Sequence, residues 1–200
     1  MNKSSLRPLG IFFALALVMA ATRIHTSLLH HFDALPDATW GVLFLAGFWL
    51  RGAWRWALPL LLTEAVTIDF LVISNQGGDF WTHYCVSAAY WFLLPAYASL
   101  WAGGSWLRRH ASGLTPASVT RAVAAFTLSW AACYVISNGS FYWLSDMVPL
   151  PRSGAAWAGN MLDWYQTFFT TTAMYAAIGA ALHIAVTQLR GVRGVAGEAR

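Results

Sequence analysis

Charge is what this sequence has least of. Of 200 residues, 12 are Lys or Arg and 8 are Asp or Glu, 10% together, where a soluble domain carries roughly 25%. Hydrophobic residues make up 58%. A chain this apolar would expose too much greasy surface in water, so its solvent is lipid. Lysine is scarcer still: Lys3 stands alone, and no GxxxxGK[ST] stretch occurs. That absence excludes a P-loop ATPase within this chain. Two cysteines, Cys85 and Cys133, are too few for a disulfide scaffold. The net charge of +4 comes from dispersed basic residues, without the stripe or fold motif that nucleic-acid binding requires. No repeat divides the chain into similar halves, which argues against an inverted-repeat transporter.

What is present is a succession of apolar runs. A helix needs about 20 residues to cross the hydrocarbon. The runs predict an all-α integral membrane protein, a six-helix transmembrane bundle over residues 1–189. The expected spans are 9–29, 38–53, 55–74, 80–102, 120–142 and 160–187, followed by a short basic tail at 190–200. The second is short, and Arg51 and Arg55 can extend it by snorkelling. Pro36, Gly77-Gly78, Gly103-Gly104, Gly113 and the stretch from Pro149 to Gly154 mark joints. The first run, with Lys3 and Arg7 before it, also reads as a signal peptide. The lack of a polar mature segment behind it favours a span.

Orientation follows from the basic residues in alternate loops. One side receives Lys3, Arg7, Arg51, Arg55, Arg108, Arg109, Arg121, Arg190, Arg193 and Arg200; the other receives Arg152, with Arg23 inside the first span. Both termini are therefore expected in the cytoplasm. The opposite loops hold Asp33, Asp37, Asp79 and Asp146, in agreement.

Ionisable groups at hydrocarbon depth are the informative residues of a membrane protein. Taken as helical positions, Asp69 lies roughly 7 Å and both Arg23 and Cys85 roughly 9 Å below the outer surface, at about 1.5 Å per residue. His83 is slightly shallower, and His30, His31 and Asp33 stand at the mouth of the first span. Asp163 begins the sixth. Glu64 is deeper, near the middle. These groups outline a cavity open to the outside, in which Arg23 and Asp69 (or Glu64) can also simply neutralise one another. Trp81, Tyr84, Tyr90, Trp91, Tyr142, Trp164 and Tyr165 are among the aromatics expected near it, though each also suits an interfacial belt or helix packing. Trp81 and Cys85, four apart, would share one helix face.

A lone cysteine in an apolar helix is usually a small hydrophobe, and Cys133 reads that way. Cys85 has polar company in His83 and Tyr84, and a thiolate is a soft ligand suited to transition metals. A Cys85–Cys133 disulfide is an alternative. Ala16 and Ala20 form a small-xxx-small pair that lets two helices approach closely, a weak signal in an alanine-rich helix.

Six spans, an outer polar pocket and no ATPase motif together resemble the substrate-binding component of energy-coupling-factor (ECF) vitamin transporters. Within that group the chain is most similar to the BtuM-type vitamin B12 transporters of Gram-negative bacteria. The segments that carry the likeness are LPDATWGVLFLAGFWLRG (35–52) and DFWTHYCVSAAYWFLLPAY (79–97). The resemblance implies an inner-membrane protein that takes cobalamin from the periplasm into the outer halves of its helices. It implies Cys85 as the cobalt ligand, with Tyr90 nearby. It also implies Ala16 and Ala20 as the docking face for a coupling module supplied by other chains. No enzymatic activity is expected beyond slow exchange or removal of the upper cobalt ligand by the cysteine. Two other readings stand beside it: an S-component-like carrier of another vitamin, and a haem-binding membrane oxidoreductase. For bis-histidine ligation the latter would use His25 and His83, since His183 lies near the other end.

Overall fold

The computed structural model describes residues 3–28, 36–83 and 86–198, with side chains described over 7–24, 36–83 and 86–189. Every regular element among them is helical: α1 (Lys3–Leu28), α2 (Thr39–Trp49), α3 (Trp54–Asn75), α4 (Leu93–His110), α5 (Pro116–Leu144) and α6 (Gly154–Glu198), with short 3-10 turns between. Four helical stretches, Arg7–Ile24, Arg51–Asn75, Pro116–Leu144 and Gly154–Leu189, are long and apolar enough to cross a membrane. Their outward faces are large aliphatics and aromatics, with Leu17, Leu128 and Leu162 at least 70% exposed. A surface of that kind suits lipid.

α1 shows how the pattern is built. Phe12, Leu15, Met19 and Thr22 recur at helical spacing and are buried, while Phe13, Leu17 and Val18 face out. α2 is different. Thr39 to Phe44, Ala46 and Gly47 are all buried, and a helix enclosed on every side belongs in the middle of a bundle. Its 11 residues reach only about 16 Å, half the hydrocarbon thickness. The expected span 38–53 is therefore a short central helix that ends at Leu50 and passes through the 3-10 turn Arg51–Ala53 into α3.

α2 packs on α4, α6, α1 and α3. Its approach to α4 is backbone against backbone. A Cβ on Gly47 would strike the Trp101 carbonyl, and one on Gly104 the Phe44 carbonyl. The Ser105 hydroxyl donates to the Gly47 carbonyl at 3.0 Å across the same contact. On the other flank, Tyr175 of α6 donates to the Pro36 carbonyl at 2.7 Å.

The fourth expected span, 80–102, is not one continuous helix. Residues 80–82 and 88–92 are separate 3-10 turns, and the α-helix starts at Leu93 and continues to His110. Three features set that start. Asp79 accepts from the Trp81 amide and Ser87 from the Ala89 amide, and such side chains divert the backbone from a helix. Pro95 lies in the first turn of α4, where its missing N–H costs nothing; inside a helix begun at residue 80 it would break the ladder. α6 is longer than expected, starting at Gly154 just after the loop in which Arg152 donates to the carbonyls of Trp143, Ser145 and Val148.

Candidate functional site

One end of the bundle gathers Arg23, Asp37, Asp69 and Tyr90. Arg23, near the end of α1, places Nε and Nη2 on the two oxygens of Asp69, each at 2.8 Å. Its Nη1 donates to Asp37 Oδ2 at 3.1 Å and to the Thr39 hydroxyl at 3.0 Å. Asp37 in turn accepts from the Thr39 amide (2.9 Å) and hydroxyl (2.6 Å) through Oδ1, so it frames the start of α2. The Thr22 hydroxyl accepts from the Ala38 amide at 3.1 Å and ties α1 to the same point.

Tyr90 completes the arrangement by donating its hydroxyl to Asp69 Oδ2 at 2.8 Å. One carboxylate thus receives three donors, from α1 and from the irregular segment ahead of α4. Phe80, buried, holds the other end of that segment: its ring meets Phe70 of α3 at 5.6 Å and Tyr90 at 6.0 Å, edge to face. The Arg23 side chain is 13% exposed, those of Asp69 and Asp37 21% and 38%. The cation is enclosed while the carboxylates remain reachable, and among the described residues two acids pair with the one guanidinium.

The residues expected at the site distribute unevenly. Asp69 and Tyr90 come together, and Asp69 rather than Glu64 takes Arg23. Cys85, His30 and His31 lie outside the described residues, as do Asp33, Tyr84 and the side chain of His25. Trp81 sits in the 3-10 turn Phe80–Thr82, 72% exposed, and not on the α-helix expected to carry it. His83 is half-buried in the bend that follows; a haem held between His25 and His83 on facing helices loses that geometry. Tyr142 is buried, its hydroxyl donating to the Ser153 carbonyl at 3.3 Å, and serves the α5–α6 corner. Trp164 is exposed. Tyr165 packs edge-on against Trp130 at 5.3 Å, in an aromatic group with Trp40, Tyr134, Phe168 and Phe169 between α2, α5 and α6. Ala16 and Ala20 are half-buried, flanking the inward stripe of α1. Cys133 is a free, fully buried thiol, which leaves out a disulfide to Cys85.

The sequence places Asp37 only among the loop acids and gives Thr39 no role, although Asp-x-Thr at the start of an apolar run is a helix-start signal. Neither protein-family models nor curated proteins give a match to this chain.

Proposed function

We propose that this chain carries cobalamin across the bacterial inner membrane, in the manner of a BtuM-type substrate-binding component. The chain passes the membrane six times with both termini in the cytoplasm: α2 with its 3-10 turn and α4 with the turns before it complete the set begun by the four long helices. The observation that carries the reading is the junction at Arg23. The two segments that resemble the B12 transporters, 35–52 and 79–97, supply Asp37 and Thr39 from one and Tyr90 from the other, and all converge on Arg23 and Asp69. Residues that are distant in sequence and share a resemblance also share a place.

The described backbone between Asp79 and Phe92, two short 3-10 turns rather than one α-helix, supports the same reading. Irregular backbone near membrane depth is tolerated where it lines a protein-enclosed or water-filled cavity. Cys85 lies between the two turns in sequence, outside the described residues. Cobalamin offers a corrin face for stacking, amides for polar partners and an exchangeable axial position on cobalt. The Cys85 sulfur displaces the upper ligand and bonds cobalt, and cobalt stabilises the thiolate that apolar surroundings would disfavour. Trp81 and His83, in and just after the turn Phe80–Thr82, are the described candidates for contacts to the rest of the vitamin. A coupling module from other chains docks beside Ala16 and Ala20.

The test is purification from cells supplied with cobalamin, followed by an absorption spectrum. Corrinoid bands shifted from those of the free vitamin support the proposal. A haem spectrum, or a different bound vitamin, replaces it.

A further inference from the structure

Glu64 is the acid that the Arg23 network leaves out. It is near the middle of the 22-residue α3, about 16 Å from either end at roughly 1.5 Å per residue. α3 turns Ala57, Leu61, Ala65, Ile68 and Val72 into the bundle. Glu64 is on the stripe with Leu60, Thr67 and Leu71, which are exposed. Leu60 and Leu71, 49% and 51% exposed, face lipid if α3 spans.

Among the described residues, the elements packed on α3 offer Glu64 no counter-charge. Of the two 3-10 turns against it, Arg51–Ala53 holds Arg51 ahead of the first turn of α3, and Phe80–Thr82, flanked by Asp79 and His83, lies beyond its other end. α2 has no ionisable residue. α1 brings Lys3 and Arg7 in its first turns, and Arg23, which is closed on Asp69 and Asp37; His25 lies beyond Arg23, toward the network. On α3 itself Arg55 is nine residues away and Asp69 belongs to Arg23. Among the described residues, no hydrogen bond or ion pair holds the Glu64 side chain. The neighbouring Thr67 hydroxyl is spent on the Thr63 carbonyl of its own helix, at 2.7 Å. An unpaired carboxylate in hydrocarbon is costly, and the group that stands there is either neutral or functional.

We propose that Glu64 is a proton-binding site on the lipid-facing side of α3, loaded with a proton while the protein rests in the bilayer and separate from the Arg23 network. The proposal requires α3 to span the membrane and does not depend on which ligand the other end binds.

Dicyclohexylcarbodiimide, which partitions into lipid, tests it. The acid proton passes to a carbodiimide nitrogen, the carboxyl oxygen bonds the central carbon, and the resulting O-acylisourea rearranges to a stable N-acylurea with nothing leaving. The full chain in lipid nanodiscs, with oleic acid in the same bilayer as a reagent control, is treated at several pH values and mapped by mass spectrometry. The adduct is expected on Glu64, forming more slowly as pH rises, with Asp69 unlabelled beside Arg23 and the adduct lost in Glu64→Gln. A water-soluble carbodiimide with an added amine is expected to leave Glu64 intact. An unmodified Glu64 in a sample whose oleic acid has reacted overturns the proposal. So does labelling of Glu64 by the water-soluble reagent, which would place it in an aqueous path.

Discussion

Arg23 lies against Asp69 in a two-pronged ion pair, Nε to Oδ1 and Nη2 to Oδ2, both at 2.8 Å. The third nitrogen reaches Asp37, so one guanidinium joins α1, the start of α2 and the far end of α3. Removing it leaves two carboxylates facing each other with no cation between. Arg23→Ala is expected to cost about 3 kcal/mol, the lower end for a broken buried pair, because both acids keep some exposure. Adding Asp69→Asn should recover part of the loss and leave the Asp37 share. Thermal unfolding in detergent reads both; equal losses in the single and double variants would mean that the pair carries no weight.

Tyr90→Phe removes one hydroxyl from that carboxylate and nothing else. A hydrogen bond to a charged group is worth roughly 1.5–3 kcal/mol, and here it pins the segment from Asp79 to Phe92. Amide hydrogen exchange of residues 86–92 should accelerate, while α2 and α5 remain protected. Unchanged exchange would show that Phe80 alone anchors the segment.

The α2–α4 contact has no room for a methyl group. Gly47→Ala and Gly104→Ala each drive a Cβ into backbone of the facing helix, and overpacking of this kind costs typically 1–3 kcal/mol. Gly10→Ala and Gly52→Ala, with nothing within 4 Å of the added carbon, are expected to be neutral. Similar unfolding temperatures for all four would reject the tight crossing.

Ten of the twelve basic residues fall on one side of a six-pass arrangement, so reporter fusions at both termini should read cytoplasmic. One periplasmic and one cytoplasmic reading rejects six passes, and two periplasmic readings reject the orientation.

How much of this the sequence discloses depends on the kind of signal. Long apolar helices such as α5 are legible because lipid demands a continuous run, and the pairing of Arg23 with Asp69 is legible because an isolated charge at that depth needs a partner. The 80–92 segment reads as continuous helix because its composition is apolar, and hydropathy does not register what Pro95, Asp79 and Ser87 do to the backbone. The break at Leu50 is illegible for a related reason: an enclosed helix is as apolar as a lipid-facing one, so hydropathy runs on from α2 into the 3-10 turn that follows it. Asp37 is not legible as a partner of Arg23, because an acid framing a helix start and an ordinary loop acid look alike until that start is located.

The sulfur–cobalt bond proposed at Cys85 is tested most directly by the absorption spectrum of bound cobalamin in the parent protein and in Cys85→Ser. The parent should show bands distinct from free cobalamin. The variant should lose that shift while stacking and polar contacts retain weaker binding, and Cys133→Ser, a change at a buried packing thiol, should leave it intact. The same shifted spectrum in Cys85→Ser would contradict cysteine ligation.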